Sequence, residues 1–143
     1  MIYKKIKFKK FTDGRGDLIP IEFIGDIGNP DIPFRVKRCY IVSDPTNDAI
    51  RGQHAHRNLE QVIICLHGAF TLTLDNGSKR VDLRLDRDNE GIYIKDRVWR
   101  ELKDFSENCV CLILCASPPL RVIAFCPKDI YPSPTSSRVF SFA

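Results

Sequence analysis

No stretch of this 143-residue sequence stays apolar for anything near the roughly 20 residues of a membrane-spanning helix. Nor does the N-terminus, Met1 to Phe11, carry an apolar core followed by small residues, so it does not read as a signal peptide. A cytoplasmic protein that engages no membrane is the expectation. Cys-x-x-Cys is absent as well. Among the six cysteines, Cys109, Cys111 and Cys115 alternate with Val110, Leu112 and Leu114, which predicts buried reduced thiols and not a disulfide framework. The net charge of +4 is modest, and much of it lies in the first ten residues. A nucleic-acid binder usually has a denser basic patch, so no nucleic-acid partner is expected. Lys4–Lys10 reads instead as a solvated edge strand, where lysines discourage aggregation. No segment keeps a 3.6-residue apolar period over three turns, and no internal repeat is visible.

What remains is a succession of short strands and turns. Ile6 and Phe8 alternate with lysines in a first strand. Thr12–Asp17 is a turn by its Gly and Asp content. Leu18–Phe23 predicts a second strand, at an edge because of Pro20. Phe34–Val42 predicts a third, with Arg38 and Tyr40 on one face. Val62–Leu66 is apolar throughout and fits a buried strand. The clearest hairpin runs from Phe70–Leu74 through Asp75-Asn76-Gly77 to Arg80–Leu85, because Asn-Gly can place both central residues at positive φ. Gly91–Ile94, Val98–Leu102 and Cys109–Cys115 complete the pattern. Strands at this spacing predict an all-β fold with little helix, an antiparallel sandwich or barrel. The expected domain spans residues 1–117. Residues 118–143 form a tail containing Pro and Ser, in which only Leu120–Phe125 reads as a strand.

Histidine is scarce, with three in the chain and none after His67. Two of them, His54 and His56, stand on alternate residues. On one strand they would aim both rings at one cavity. Arg38, Tyr40 and Arg51 point the same way by pattern. Unperturbed imidazoles titrate near ~6.5, so such a pair can take up and return protons at neutral pH. His67, beside Gly68, reads as structural or solvated.

His-x-His in a small all-β domain resembles a cupin jelly roll. Cupins commonly hold a metal with such a pair, a following glutamate and a later histidine. Here Gln61 stands in the glutamate's place, Glu60 faces the other way by alternation, and no later histidine exists. Two histidines and an amide are a poor donor set, so neither metal nor cofactor is expected.

The resemblance then narrows. Asp13–Leu18, Ile32–Tyr40, Arg51–His56, Leu59–Gln61, Gly68, Leu74–Gly77 and Val98-Trp99 are together similar to the nucleotide-sugar 3,4-ketoisomerases of the WxcM-like cupin family, over roughly residues 6–117. That resemblance implies a metal-free, homodimeric jelly roll acting on dTDP-4-keto-6-deoxyglucose. It moves the ketone from C4 to C3 and so prepares the sugar for a separate 3-aminotransferase. It assigns His54 and His56 as the acid/base pair. Arg15, Arg38, Tyr40, Arg51, Gln61, Trp99 and Arg100 become substrate-binding candidates, since a diphosphate favours arginine's planar donors. Family members often carry a histidine where this chain has Arg100, and the pairing of Arg15 with Arg100 leaves the C4 configuration of the product open. The competing expectations are a dTDP-sugar 3,5-epimerase-like cupin, a metal-dependent oxygenase and a non-catalytic sugar-nucleotide-binding module.

Overall fold

A computed structural model describes residues 1–23 and 31–117. The expected strand Leu120–Phe125 and the tail 118–143 lie outside these. Eleven strands and no helix are present among the described residues. In chain order they are β1 (Lys4–Lys7), β2 (Phe11–Asp13), β3 (Gly16–Leu18), β4 (Arg38–Ser43), β5 (Arg51–His54), β6 (Gln61–His67), β7 (Phe70–Asp75), β8 (Arg80–Leu85), β9 (Glu90–Ile94), β10 (Trp99–Lys103) and β11 (Val110–Cys115). All pairings are antiparallel. A five-stranded sheet has the order β1-β9-β6-β11-β4, and a four-stranded sheet the order β5-β10-β7-β8. The jelly-roll expectation holds. No helix among the described residues is long and apolar enough to cross a membrane.

The two sheets enclose one apolar cluster. Ile63, Ile92, Ile94 and Ile113 come from the five-stranded sheet, and Phe70, Leu72, Leu74 and Leu102 from the other. Burying each such side chain contributes about 1.5–3 kcal/mol. A second cluster covers the outer face of the five-stranded sheet, with Ile6, Phe8, Ile32, Phe34, Val62, Ile64, Tyr93 and Leu114. That sheet is therefore buried on both faces, which explains the unbroken apolar run Val62–Cys65. Alternation sends Ile63 and Cys65 inward and Val62 and Ile64 outward. Gln61 shares the inward face, while Glu60 on the outer side accepts the Tyr93 hydroxyl at 2.5 Å.

Three expectations shift. The strand predicted at Leu18–Phe23 is instead β3, ending at Leu18. Pro20 has no N–H for a ladder, and Ile19 and Ile21 pack irregularly on the outer cluster. The strand predicted from Phe34 begins at Arg38; Phe34, after Pro33, is a core peg 4% exposed. The Phe70–Leu85 hairpin forms, but its loop is Asn76–Lys79. Gly77 alone in that loop has positive φ, and Asn76 Oδ1 accepts the Ser78 and Lys79 amides.

Candidate active site

One end of the sandwich is polar inside. On the five-stranded wall, Tyr40 of β4, Gln61 of β6 and Cys115 of β11 meet, with Cys115 opposite Gln61 in register. On the facing wall, Arg100 of β10 stands opposite His54 of β5. Paired residues of an antiparallel ladder share a face, so Arg100 and His54 both look into the gap.

Arg100 is 2% exposed. Its Nε and Nη2 donate to the Val98 carbonyl at 3.3 and 2.7 Å, and its Nη1 donates to Gln61 Oε1. These acceptors are neutral, and no ion pair to Arg100 occurs among the described residues. Gln61 Nε2 donates onward to the Tyr40 hydroxyl at 3.4 Å and to Cys115 Sγ at 3.3 Å. Each guanidinium nitrogen thus has a hydrogen-bond acceptor, but none of these acceptors carries a compensating charge. Burying the guanidinium so is costly, and burial pulls its pKa down to about 10, which still leaves it charged at neutral pH. Burial also raises the Tyr40 and Cys115 pKa values, so both stay protonated.

The two imidazoles meet edge to face, with ring centroids 4.5 Å apart. β5 ends at His54 and His56 lies two residues on, just past the strand, yet the two-residue spacing still brings the rings together, as the alternation predicts. The Arg97 amide donates to the His56 carbonyl at 2.6 Å and ties down that segment. His54 Nδ1 lies 2.8 Å from the Gly52 carbonyl oxygen. A carbonyl only accepts, so neutral His54 carries its proton on Nδ1 and has a lone pair at Nε2. Burial lowers the pKa of both rings, and the Arg100 charge lowers them further. His56 falls to about 3. Both are neutral bases at physiological pH.

The remaining candidates are placed unequally. The Arg38 guanidinium lies over the Tyr40 ring at 4.9 Å, on the same face as the cluster. Arg51 is exposed on β5, opposite Leu102. Trp99 is buried, yet its Nε1 donates to Glu101 Oε1 at 3.0 Å, on the face of β10 opposite Arg100. Arg15 sits in the turn between β2 and β3, ion-paired to Asp13 at 2.5 Å, with its side chain 91% exposed. The structure does not bring it to the buried cluster. His67 is exposed at the far end of β6, about 20 Å of strand from Gln61.

Metal chemistry fits these residues poorly. Among the described residues no three His, Cys, Asp or Glu side chains are grouped to hold an ion. The amide at position 61 is engaged by Arg100, whose fixed positive charge beside both imidazoles opposes a divalent cation. Sequence reasoning passed over two participants. The odd-numbered face of β11, which carries Cys111 and Ile113 into the core, also carries Cys115 to Gln61, and that alternation was readable. Gly52 left no such signal, because its part is played by a carbonyl.

The model of the WxcM-like, C-terminal family matches residues 1–118. A TDP-4-oxo-6-deoxy-alpha-D-glucose-3,4-oxoisomerase from Aneurinibacillus thermoaerophilus is 42% identical over 113 residues, 79% of this chain and 78% of that protein. The crystal structure of a His-to-Asn mutant of the 3,4-ketoisomerase QdtA from Thermoanaerobacterium thermosaccharolyticum, in complex with TDP-4-keto-6-deoxyglucose, aligns with a TM-score of 0.75. It is 40% identical, covering 81% of this chain and 80% of that one. The WlaRB TDP-quinovose 3,4-ketoisomerase from Campylobacter jejuni aligns at 0.74, with 35% identity over 81% of this chain and 85% of its own. The chain belongs to the WxcM-like, C-terminal family of sugar-nucleotide 3,4-ketoisomerases.

Proposed function

We propose that this enzyme moves the ketone of dTDP-4-keto-6-deoxyglucose from C4 to C3, without a metal, through an enediolate. The observation that carries the reading is the charge-uncompensated Arg100 beside two neutral histidines. The C3 hydrogen of the substrate is acidic because the C4 carbonyl is adjacent. His54 Nε2 is the basic nitrogen that receives it. Negative charge then grows on the C4 oxygen, where a buried cation and the Tyr40 hydroxyl stabilise it. Preorganised donors of this kind are worth about 10²–10³ in rate each. The C3 proton is returned to C4, and the O3 proton passes to O4, with His56 as the second carrier. One hydrogen moves between carbons and one between oxygens, so the step balances without a redox partner. Arg38 and Arg51, nearer solvent, serve the diphosphate.

The same proposal includes a homodimer, a 3-aminotransferase acting next and a cytoplasmic setting. The open edge of β1 and the exposed Phe11 and Leu18, paired across the β2–β3 hairpin, offer a second copy apolar surface to cover. The five cysteines among the described residues are free thiols, which suits a reducing compartment. The test is incubation with dTDP-4-keto-6-deoxyglucose and a 3-aminotransferase. A dTDP-3-amino-3,6-dideoxyhexose is the expected product, and NMR of it reports the C4 configuration. If no 3-amino sugar forms while the substrate still binds, the chain is a binding module and the proposal fails.

A further inference from the structure

The strand that delivers His54 is irregular just before it. Opposite β10, His54 pairs with Arg100 and Gly52 with Glu101, so Gln53 is an extra residue in the ladder. Both bulge residues have positive φ, +84° at Gly52 and +55° at Gln53. Gly52 lies flush against the neighbouring backbone, and a Cβ there would stand 2.8 Å from the Arg100 carbonyl oxygen. Gln53 holds a left-handed conformation that a residue with a side chain adopts only under constraint. The bulge has one visible consequence for chemistry. In a regular strand the Gly52 carbonyl would point sideways into the ladder. Here it turns along its own strand and meets His54 Nδ1 at 2.8 Å.

We propose that the Gly52–Gln53 bulge is a tautomer lock, and that these two are positioning residues for the acid/base pair. The lock keeps the His54 proton on Nδ1 and leaves Nε2 as the one basic nitrogen facing the gap. This matters because neutral histidine otherwise chooses its tautomer by whatever hydrogen bond it finds, and in water it favours the proton on Nε2. A ring in that form presents an N–H where the C3 hydrogen has to be received. The other neighbours cannot make the selection. Arg100 repels a second proton on either nitrogen, and Tyr40 and Cys115 reach Gln61 across the gap. His56 lacks such a clamp among the described hydrogen bonds; its ring touches His54 edge to face and is free to change tautomer. The bulge therefore divides the labour, giving one ring a fixed direction and the other the ability to take a proton on one nitrogen and release it from the other. The division rests on the ketoisomerase reading, but the tautomer itself does not.

The experiment is nitrogen NMR on protein carrying 15N-histidine. Only three histidines need assignment, and His67→Asn identifies the solvent-exposed one. At neutral pH the expected His54 signals are a protonated Nδ1 and an unprotonated Nε2. A proton on Nε2, or an even mixture, overturns the lock. Two variants extend the test. Gln53→Gly keeps the tautomer, because glycine accepts positive φ without strain. Gln53→Val, β-branched and disfavoured at positive φ, moves the proton toward Nε2 and lowers kcat at least about tenfold with KM changed far less. A Gln53→Val protein that folds, loses the Nδ1 proton and turns over normally would also overturn it. If Gln53→Val does not fold, the wild-type and Gln53→Gly spectra decide. Correct tautomers in a protein that makes no 3-keto sugar would defeat the proposed function and leave the lock standing.

Discussion

Two arginines on opposite faces of the same four-stranded sheet are treated in opposite ways. Arg80 on the outer face is half exposed and lies 3.6 Å from each of two carboxylates, Asp75 and Glu101. Nearby, Lys103 pairs with Asp82. Arg100 on the inner face is buried, and its partners are two carbonyl oxygens. On the outside, where water screens charge, the chain spends carboxylates freely and gains little from them. On the inside, where a carboxylate would interact most strongly, it supplies an amide. Charge is neutralised where neutralisation matters least and withheld where a ligand can use it. A stability argument predicts the reverse arrangement, so the inner arginine fits the proposed role in binding better than one in stability.

The sharpest way to break this contrast is Arg100→Met. The proposed site then loses its cation, and kcat for ketone transfer falls about 10²–10³-fold. Thermal stability changes little or rises, because the buried charge no longer has to be desolvated. A rapid Arg100→Met enzyme would erase the distinction between the two faces. Gln61→Glu is the next test, because it gives the inner arginine the carboxylate its outer counterpart has. An ion pair forms in the gap, turnover falls about tenfold or more, and both histidines titrate higher, as NMR titration would record. Unchanged histidine titration would mean that Arg100 is not the charge the rings feel.

The pH dependence of stability comes third. His56 drops from its ordinary 6.5 to about 3 on folding, chiefly through burial. The unfolded chain therefore binds the proton first. The stabilisation is complete above 6.5 and is lost as pH falls toward 3. His54 shifts in the same direction. The carboxylates whose pKa values are lowered by lysine or arginine partners, such as Asp17 and Glu90, give way only below their ordinary range of about 4. Urea midpoints should thus decline already between about pH 6.5 and 5, and His56→Gln should flatten that part of the curve. A flat wild-type curve there would show that the imidazoles are not buried as neutral bases. Smallest of all is Arg80→Ala, expected to cost under about 1 kcal/mol in denaturant unfolding and to leave turnover as it was. A large loss of activity would show that the outer pairs reach the site.

How much of this the sequence reveals depends on whether an effect is carried by side-chain alternation or by the path of the backbone. Period two correctly sorts Gln61 inward and Glu60 outward, and it puts Arg38 with Tyr40. It also separates Trp99 from Arg100, a consequence that stays unread while both are simply neighbours in sequence. It holds for the histidines too, whose rings meet although β5 ends at His54 and His56 lies just past it. It fails for the edge strand expected through Pro20, since a proline that lacks a donor can as readily end a ladder as border it. Neither the Gly52 carbonyl nor the neutrality of the shell around Arg100 is written in any residue's identity; both emerge only when β5 and β6 are brought to β10.

The bond between Glu60 and Tyr93 has a meaning for how such a site can change over generations. It pins the register of β6 at the residue next to Gln61. In a strand, a shift by one position exchanges the two faces. A single-residue deletion or insertion in the chain between His56 and Gln61 that slid β6 would turn Glu60 inward, offering a carboxylate to Arg100 and to the two imidazoles. The proposed proton-transfer site and the beginnings of a metal clasp are thus separated here by one residue of register, and the Tyr93 hydroxyl holds the chain on the first side.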